Sequence, residues 1–278
     1  MFVRKLDWWW DWTYNPVAGC RKVKGSPGCA QCWTLPWLTS HTWDVPTVYT
    51  GAITEAKDAN GIVQWTGDAT ALRPGDPVWN FPLTFPGVEN PALGPGKPNL
   101  IFAVVDGDLF YDVRPLEDIN RVCRTLVASK HIGLLCTKYT RQMVDYFASV
   151  HLRSVPLWQS KLLLGFSAEN QTWFNRRWAE MRALADAGWF VYVALSPLLE
   201  PVALPPDSLA LGPRTWVVVY GECNKWDPER ARPMEADWAR AILKQCRGAN
   251  IPFFLRGMHT PGYIPPDLVN MHKFPSLL

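Results

Sequence analysis

Asn99-Leu100-Ile101-Phe102-Ala103-Val104-Val105-Asp106-Gly107-Asp108 is an unbroken apolar run that stops on two carboxylates around a glycine. A strand that is apolar on both faces belongs inside a covered sheet, which is the usual condition of parallel sheets. Its polar end marks the carboxyl edge, where such sheets bind ligands. The same pattern recurs downstream. Ile132–Cys136 runs into Thr137 and Lys138, and Lys161–Ser167 into Glu169 and Asn170. Trp189–Leu195 runs into Ser196, Trp216–Tyr220 into Gly221 and Glu222, and Ile251–Leu255 into Arg256.

Helical patterns lie between these runs. Leu116, Ile119, Val122 and Leu126 mark a face over 115–128, and further helices are expected over 142–150, 171–187 (stopped by Gly188) and 235–249. Strand alternating with helix predicts a parallel sheet covered by helices. Six such strands, with a seventh near Trp12–Asn15, are too few for a closed eight-stranded barrel. The expected fold is α/β, a partial (open) parallel β/α barrel, with a doubly wound sheet as the alternative.

The 278 residues suit one large domain, 1–278, able to bury a core without disulfides. Residues from about 44 to 98 break the pattern: prolines and glycines are dense and periodicity is weak. This stretch is expected to be an irregular insertion, with Thr47–Ile53 and Gly61–Trp65 pairing as a small hairpin. Its Trp65, Arg73, Trp79 and Phe81 are candidates for a lid over the site. With 28 basic and 25 acidic residues the net charge is only +3, too weak to announce a nucleic-acid binder. No apolar run reaches transmembrane length, and Trp8, Trp9, Trp10 and Trp12, broken by Asp7 and Asp11, stand where the apolar core of a signal peptide would lie. A cytoplasmic protein with no membrane partner is expected. The tryptophans read either as core packing or as a platform for stacked bases.

Seven cysteines are unevenly spread: Cys20, Cys29 and Cys32 cluster, while Cys123, Cys136, Cys223 and Cys246 are scattered. In a reducing compartment this points to metal or catalysis rather than disulfides. Ser26-Pro27-Gly28 turns the chain to deliver Cys29, and amides around Gly25, Gly28 and Ala30 are available to sulfur. Structural zinc and ordinary iron–sulfur clusters take four protein ligands. Three thiolates on a four-iron cluster leave one iron open. A zinc knuckle completed by a distant residue such as His41, or three unrelated buried cysteines, are the alternatives.

Trp12-Thr13-Tyr14-Asn15-Pro16-Val17-Ala18-Gly19-Cys20, Ser26-Pro27-Gly28-Cys29, Gly107-Asp108-Leu109-Phe110, Thr137-Lys138, Gly165-Phe166-Ser167-Ala168-Glu169-Asn170-Gln171, Pro197-Leu198-Leu199, Gly221-Glu222 and Ala231-Arg232-Pro233-Met234 follow in order. Together they resemble a phage and bacterial three-cysteine-motif family regarded as radical S-adenosylmethionine (SAM)-like. The resemblance covers nearly all of the chain outside the insertion. It implies a radical SAM-type partial barrel, a 4Fe-4S cluster on Cys20, Cys29 and Cys32, and SAM as cofactor. By the same resemblance Asp106 and Asp108 would lie near the methionine amino group. Ser167, Glu169 and Asn170 would lie near the methionine or ribose, and Thr137, Lys138, Ser196 and Glu222 would share the cofactor rim. Ser196 stands where the family commonly has a glutamate, and Glu200 lies four residues on.

The implied reaction is reductive cleavage of SAM and hydrogen abstraction from a substrate, with a nucleobase or nucleotide suggested by the phage-like relatives. The implied partner is a one-electron donor such as a flavodoxin or ferredoxin, in the cytoplasm of the host cell if the gene is a phage's. The rival reading is a non-catalytic, zinc- or cluster-stabilised nucleic-acid-binding protein. Arg256 is a further candidate, for a phosphate or carboxylate.

Overall fold

Among the described residues, seven parallel strands stand side by side in the order in which the chain makes them. The structure, a computed structural model, describes residues 9–40, 47–88, 96–149, 155–223, 228–259 and 262–276. Its strands are β1 (Trp12–Tyr14), β2 (Val17–Ala18), β3 (Thr70–Ala71), β4 (Leu100–Ala103), β5 (Ile132–Thr137), β6 (Leu162–Ala168), β7 (Val191–Leu195), β8 (Thr215–Tyr220) and β9 (Phe253–Gly257). The main sheet runs β1-β4-β5-β6-β7-β8-β9, and β2 pairs with β3 apart from it. A doubly wound sheet reverses its strand order at a switch point. This one never does, so right-handed crossovers set the connecting helices on one side, and the sheet curls into a half-barrel. The partial open barrel is the fold, and the doubly wound alternative falls.

The helices are α1 (Pro27–Ala30), α2 (Thr34–Ser40), α3 (Phe81–Thr84), α4 (Leu116–Ala128), α5 (Thr140–Ser149), α6 (Val155–Lys161), α7 (Gln171–Asp186), α8 (Pro206–Leu209) and α9 (Ala236–Gly248). Glu117 and Asp118 complement the amino-terminal dipole of α4, and Gly188, at φ +88°, ends the α7 segment. The packing face of α4 is Ile119, Val122, Cys123, Leu126 and Val127. Leu116, expected on that face, is instead exposed at the first helical position, where the helix begins.

Alternation along each strand divides the interior in two. Ile101, Leu135, Leu164, Phe166, Val193, Val219 and Leu255 pack under the helices. Phe102, Leu134, Leu163, Tyr192, Trp216 and Phe254 face the concave side, where Trp9 and Trp10 meet them. The Trp9 ring lies 5.1 Å from Phe102 and 5.6 Å from both Tyr192 and Trp216. Trp9 and Trp10 therefore close the floor of the half-barrel. Packing is their role, the stacking platform is not, and Trp8 lies outside the described residues. Gly165 is required here, since a Cβ on it would stand 2.2 Å from the Tyr192 ring.

The insertion differs from expectation. Thr47–Tyr49 forms a 3₁₀ turn rather than a hairpin arm, although Ile53 does pair with Trp65 in an antiparallel bridge. Val48, Tyr49, Ala52 and Val63 form a small core with Leu35 and Leu38 of α2. Phe81 stacks on Trp12 of the edge strand β1, and Trp79 is buried under Arg121, whose guanidinium sits 3.9 Å above its ring. Neither is a lid: both cover the open sheet edge and α4, where apolar surface would otherwise meet water. Arg73 is exposed. No helix among the described residues is long and apolar enough to cross a membrane.

Candidate functional site

The loop that carries the cysteines is fastened at nearly every turn. It leaves β2 at Ala18, whose carbonyl accepts from Arg114 Nη2 at 2.5 Å, while Nη1 of the same guanidinium binds the Thr70 carbonyl at 2.8 Å. Gly19, at φ +115°, lies against the Asp68 carbonyl, and its own carbonyl accepts from the Asp108 amide at 3.2 Å. A side chain there would collide with Asp68 and with the Tyr111 phenol. The Tyr139 hydroxyl donates to the Arg21 carbonyl, and Trp173 Nε1 donates to the Gly25 carbonyl at 3.2 Å. Arg232 Nη2 donates to the Pro27 carbonyl at 2.9 Å.

The deepest fastening is at Glu169, on the carboxyl end of β6 and fully buried. Ser26 Oγ donates to its Oε1 at 2.8 Å, Arg177 Nη1 donates to its Oε2 at 2.9 Å, and Lys138 Nζ stands 3.8 Å from Oε1. Gly28 rests directly on this carboxylate, where a Cβ would come within 2.6 Å of Oε1. Burial opposes the Glu169 charge, but Lys138 and Arg177 outweigh it and hold the carboxyl below its ordinary pKa. Burial likewise opposes the Lys138 charge, and Glu169, then Cys29, outweigh it and hold the ammonium above its ordinary value. A cation thus stands beside the Cys29 thiol.

The strand ends expected to form the rim do meet around this loop, with their side chains largely committed to one another. Asp108 accepts on Oδ1 from Thr137 Oγ1 at 2.6 Å and the Phe110 amide at 3.0 Å, and on Oδ2 from the Lys138 amide at 3.0 Å. Glu222 pairs with Arg232 through both carboxylate oxygens. Asn170 caps α7, accepting from the Trp173 amide at 3.0 Å. Ser167 is buried and its carbonyl accepts from Arg177 at 2.7 Å. Ser196 precedes a cis Pro197 at the end of β7, and Glu200 is exposed. The Ala30 amide, expected to face sulfur, instead donates to the Ser26 carbonyl at 3.2 Å.

Asp106 is the carboxylate held least completely. Its Oδ2 accepts from Asn15 Nδ2 at 2.8 Å and Tyr49 Oη at 3.3 Å. Burial pushes its pKa up to about 6 against these two hydrogen bonds. Asn15 was legible in principle, being the polar residue at the end of β1, just as Asp106 follows β4. Ser26 and Arg232 stood in motifs the sequence offered, without a sign of their partners, and Arg177, Tyr49 and Tyr111 carried no such signal.

The thiols of Cys20, Cys29 and Cys32 are partly buried, and that of Cys20 is pushed well above its usual range by burial, then Asp108, Cys32 and Cys29. The three sulfurs therefore stand within electrostatic reach of one another. Among the described residues, no three His, Cys, Asp or Glu side chains gather closely enough about one point to hold a metal ion. His41 lies outside the described residues. The Tyr111 hydroxyl is buried with no hydrogen-bond partner, beside Gly19. An idle donor next to Cys20 fits a sulfur acceptor. The residues present thus fit a cluster at Cys20, Cys29 and Cys32.

A family model described as Protein of unknown function (DUF5131) matches residues 5–268. No curated protein and no solved structure matches the chain.

Proposed function

The chain belongs to the DUF5131 family, and we propose that it is a radical SAM-type iron–sulfur enzyme. The observation that carries this reading is the seat of the three-cysteine loop, held over the carboxyl ends of β4, β5, β6 and β8 by Asp108, Tyr139, Glu169 and Arg232. That is the edge at which half-barrel and barrel enzymes bind their ligands. When bound, the cluster and SAM would supply one-electron cleavage of the sulfonium, giving methionine and a 5′-deoxyadenosyl radical that takes a hydrogen atom from the substrate.

The chain's own residues do the rest. Lys138 offsets thiolate charge at Cys29, and Glu169 keeps Lys138 and Arg177 from being unpaired cations in a buried place. Asp106, near neutrality in its pKa, can hold or accept a proton where a SAM amino group would lie by the resemblance. Trp9, Trp10 and Trp216 seal the floor and keep water from the concave side. The substrate class we favour is a nucleobase or nucleotide, on the analogy of the phage-like relatives. The reductant would be a one-electron donor such as a flavodoxin or ferredoxin, in the reducing cytoplasm that an oxygen-sensitive cluster requires.

Anaerobic reconstitution tests the reading. Brown protein with about four irons per chain is expected, lost on Cys20→Ala, Cys29→Ala or Cys32→Ala and kept on Cys123→Ala or Cys246→Ala. One zinc with no visible absorbance would favour the non-catalytic, zinc-stabilised alternative.

A further inference from the structure

Two of the scattered cysteines, Cys123 and Cys246, are buried in the core under the helices. Cys136 is placed differently. It follows Ile132 and Leu134 on the concave face of β5, near the carboxyl end of the strand, and it stays partly exposed there. The sheet register sets Cys136 beside Gly165 of β6, and Gly165 beside Tyr192 of β7. Because Gly165 has no side chain, the Tyr192 ring lies across it, where a Cβ would stand 2.2 Å away. The ring thus spans β6, and its hydroxyl meets the Cys136 sulfur. That hydroxyl is fully buried and has no well-directed hydrogen bond among the described residues.

The surroundings place this thiol in depth. Trp9, with its ring 5.6 Å from that of Tyr192, belongs to the floor of the half-barrel. Lys138, two residues beyond Cys136, stands beside the Cys29 thiol, and both Lys138 and Asp108 act electrostatically on Cys136. Cys136 therefore sits inside the half-barrel, between its floor and the cysteine loop. Burial, which outweighs the opposing Lys138, pushes its pKa up to about 12, so the group is S–H at neutral pH. A protonated thiol is a poor nucleophile and a poor metal ligand. Its S–H bond is nevertheless weaker than most C–H bonds, so it gives up a hydrogen atom readily to a carbon radical.

We propose that Cys136, seated by Tyr192, is a catalytic hydrogen-atom donor to a carbon radical formed on the concave side. The role rests on the proposed radical reaction. The S–H bond breaks as a C–H bond forms, leaving a thiyl radical on Cys136. One electron from the one-electron donor, with a proton from solvent, restores the thiol.

Two measurements test this role. In iron-free protein, iodoacetamide labelling mapped by peptide mass should find Cys136 alkylated and Cys123 and Cys246 intact. A Cys136 as unreactive as those two overturns the proposal, because a thiol that nothing reaches meets no radical. The second measurement uses reconstituted protein with SAM and dithionite in thiol-free deuterium oxide. Without substrate, the 5′-deoxyadenosyl radical itself takes the hydrogen atom, and Cys136 carries S–D, so the 5′-deoxyadenosine should gain one deuterium. The label should be lost in iron-loaded Cys136→Ala and Cys136→Ser proteins and kept in Cys123→Ala. Tyr192→Phe, which keeps the thiol and removes its neighbour, should retain only part of it. Deuterium that persists in both Cys136 variants, or is absent from wild type, overturns the role and leaves the reaction standing. No 5′-deoxyadenosine from wild type at all sinks the reaction and the role together.

Discussion

The Ser26 hydroxyl donates to the buried Glu169 carboxylate at 2.8 Å, across 143 residues of sequence. That bond ties the turn before Cys29 to the end of a central strand. The placement of the cysteine loop is therefore a property of the sheet and not of the loop alone.

Glu169→Gln preserves shape and removes the charge that Arg177 and Lys138 share. A buried ion pair broken on one side costs about 3–5 kcal/mol. Urea unfolding of iron-free protein should show a loss of that size, and reconstituted protein should hold less iron than wild type. Unchanged stability would mean that Glu169 is not the anchor described.

Gly28→Ala pushes a methyl against the Glu169 carboxylate, at 2.6 Å from Oε1. The loop must lift, so iron loading should fall while the far-ultraviolet circular dichroism stays native. Gly248→Ala, with nothing within 4 Å of the new methyl at the end of α9, is the matched control. It should load iron normally.

Six of the seven strands were legible because parallel strands buried on both faces leave continuous apolar runs, such as Leu100–Ala103 and Leu162–Ala168. The clustering of Cys20, Cys29 and Cys32 was legible from spacing alone. The role of the insertion was not. Its contacts with Leu35, Leu38 and Trp12 are long-range, and proline-rich sequence carries no period to show which face is buried. Asn170 and Glu222 were visible as strand-end polar residues, yet their partners, the Trp173 amide and Arg232, depend on how helix and loop return to the rim.

Asp106 gives stability a pH dependence of definite sign. Its carboxyl titrates at about 6 in the folded chain, raised by burial, and near 3.8 when unfolded. The folded state therefore binds this proton more tightly. The contribution is fully present below about pH 4 and is lost as pH rises toward 6, by about 3 kcal/mol in all at about 1.4 kcal/mol per pH unit. Asp106→Asn should remove that slope from urea-unfolding measurements between pH 4 and 7. An identical slope in both proteins would contradict the assignment.

Tyr111→Phe separates the iron-free from the loaded protein. The phenol is buried without a partner, so its removal should leave iron-free stability unchanged or raise it by about 1–3 kcal/mol. In loaded protein, loss of a donor to sulfur should lower the cluster's reduction midpoint, read by redox titration. A destabilised iron-free variant with an unmoved midpoint would show that the hydroxyl serves the fold.

Release of 5′-deoxyadenosine tests the proposed reaction most directly. Anaerobically reconstituted protein, reduced with dithionite and given SAM, should release 5′-deoxyadenosine and methionine, slowly even without substrate, and Cys20→Ala protein should release none. Recovery of intact SAM alone after many hours, from protein carrying a full complement of iron, would contradict radical SAM chemistry in this chain.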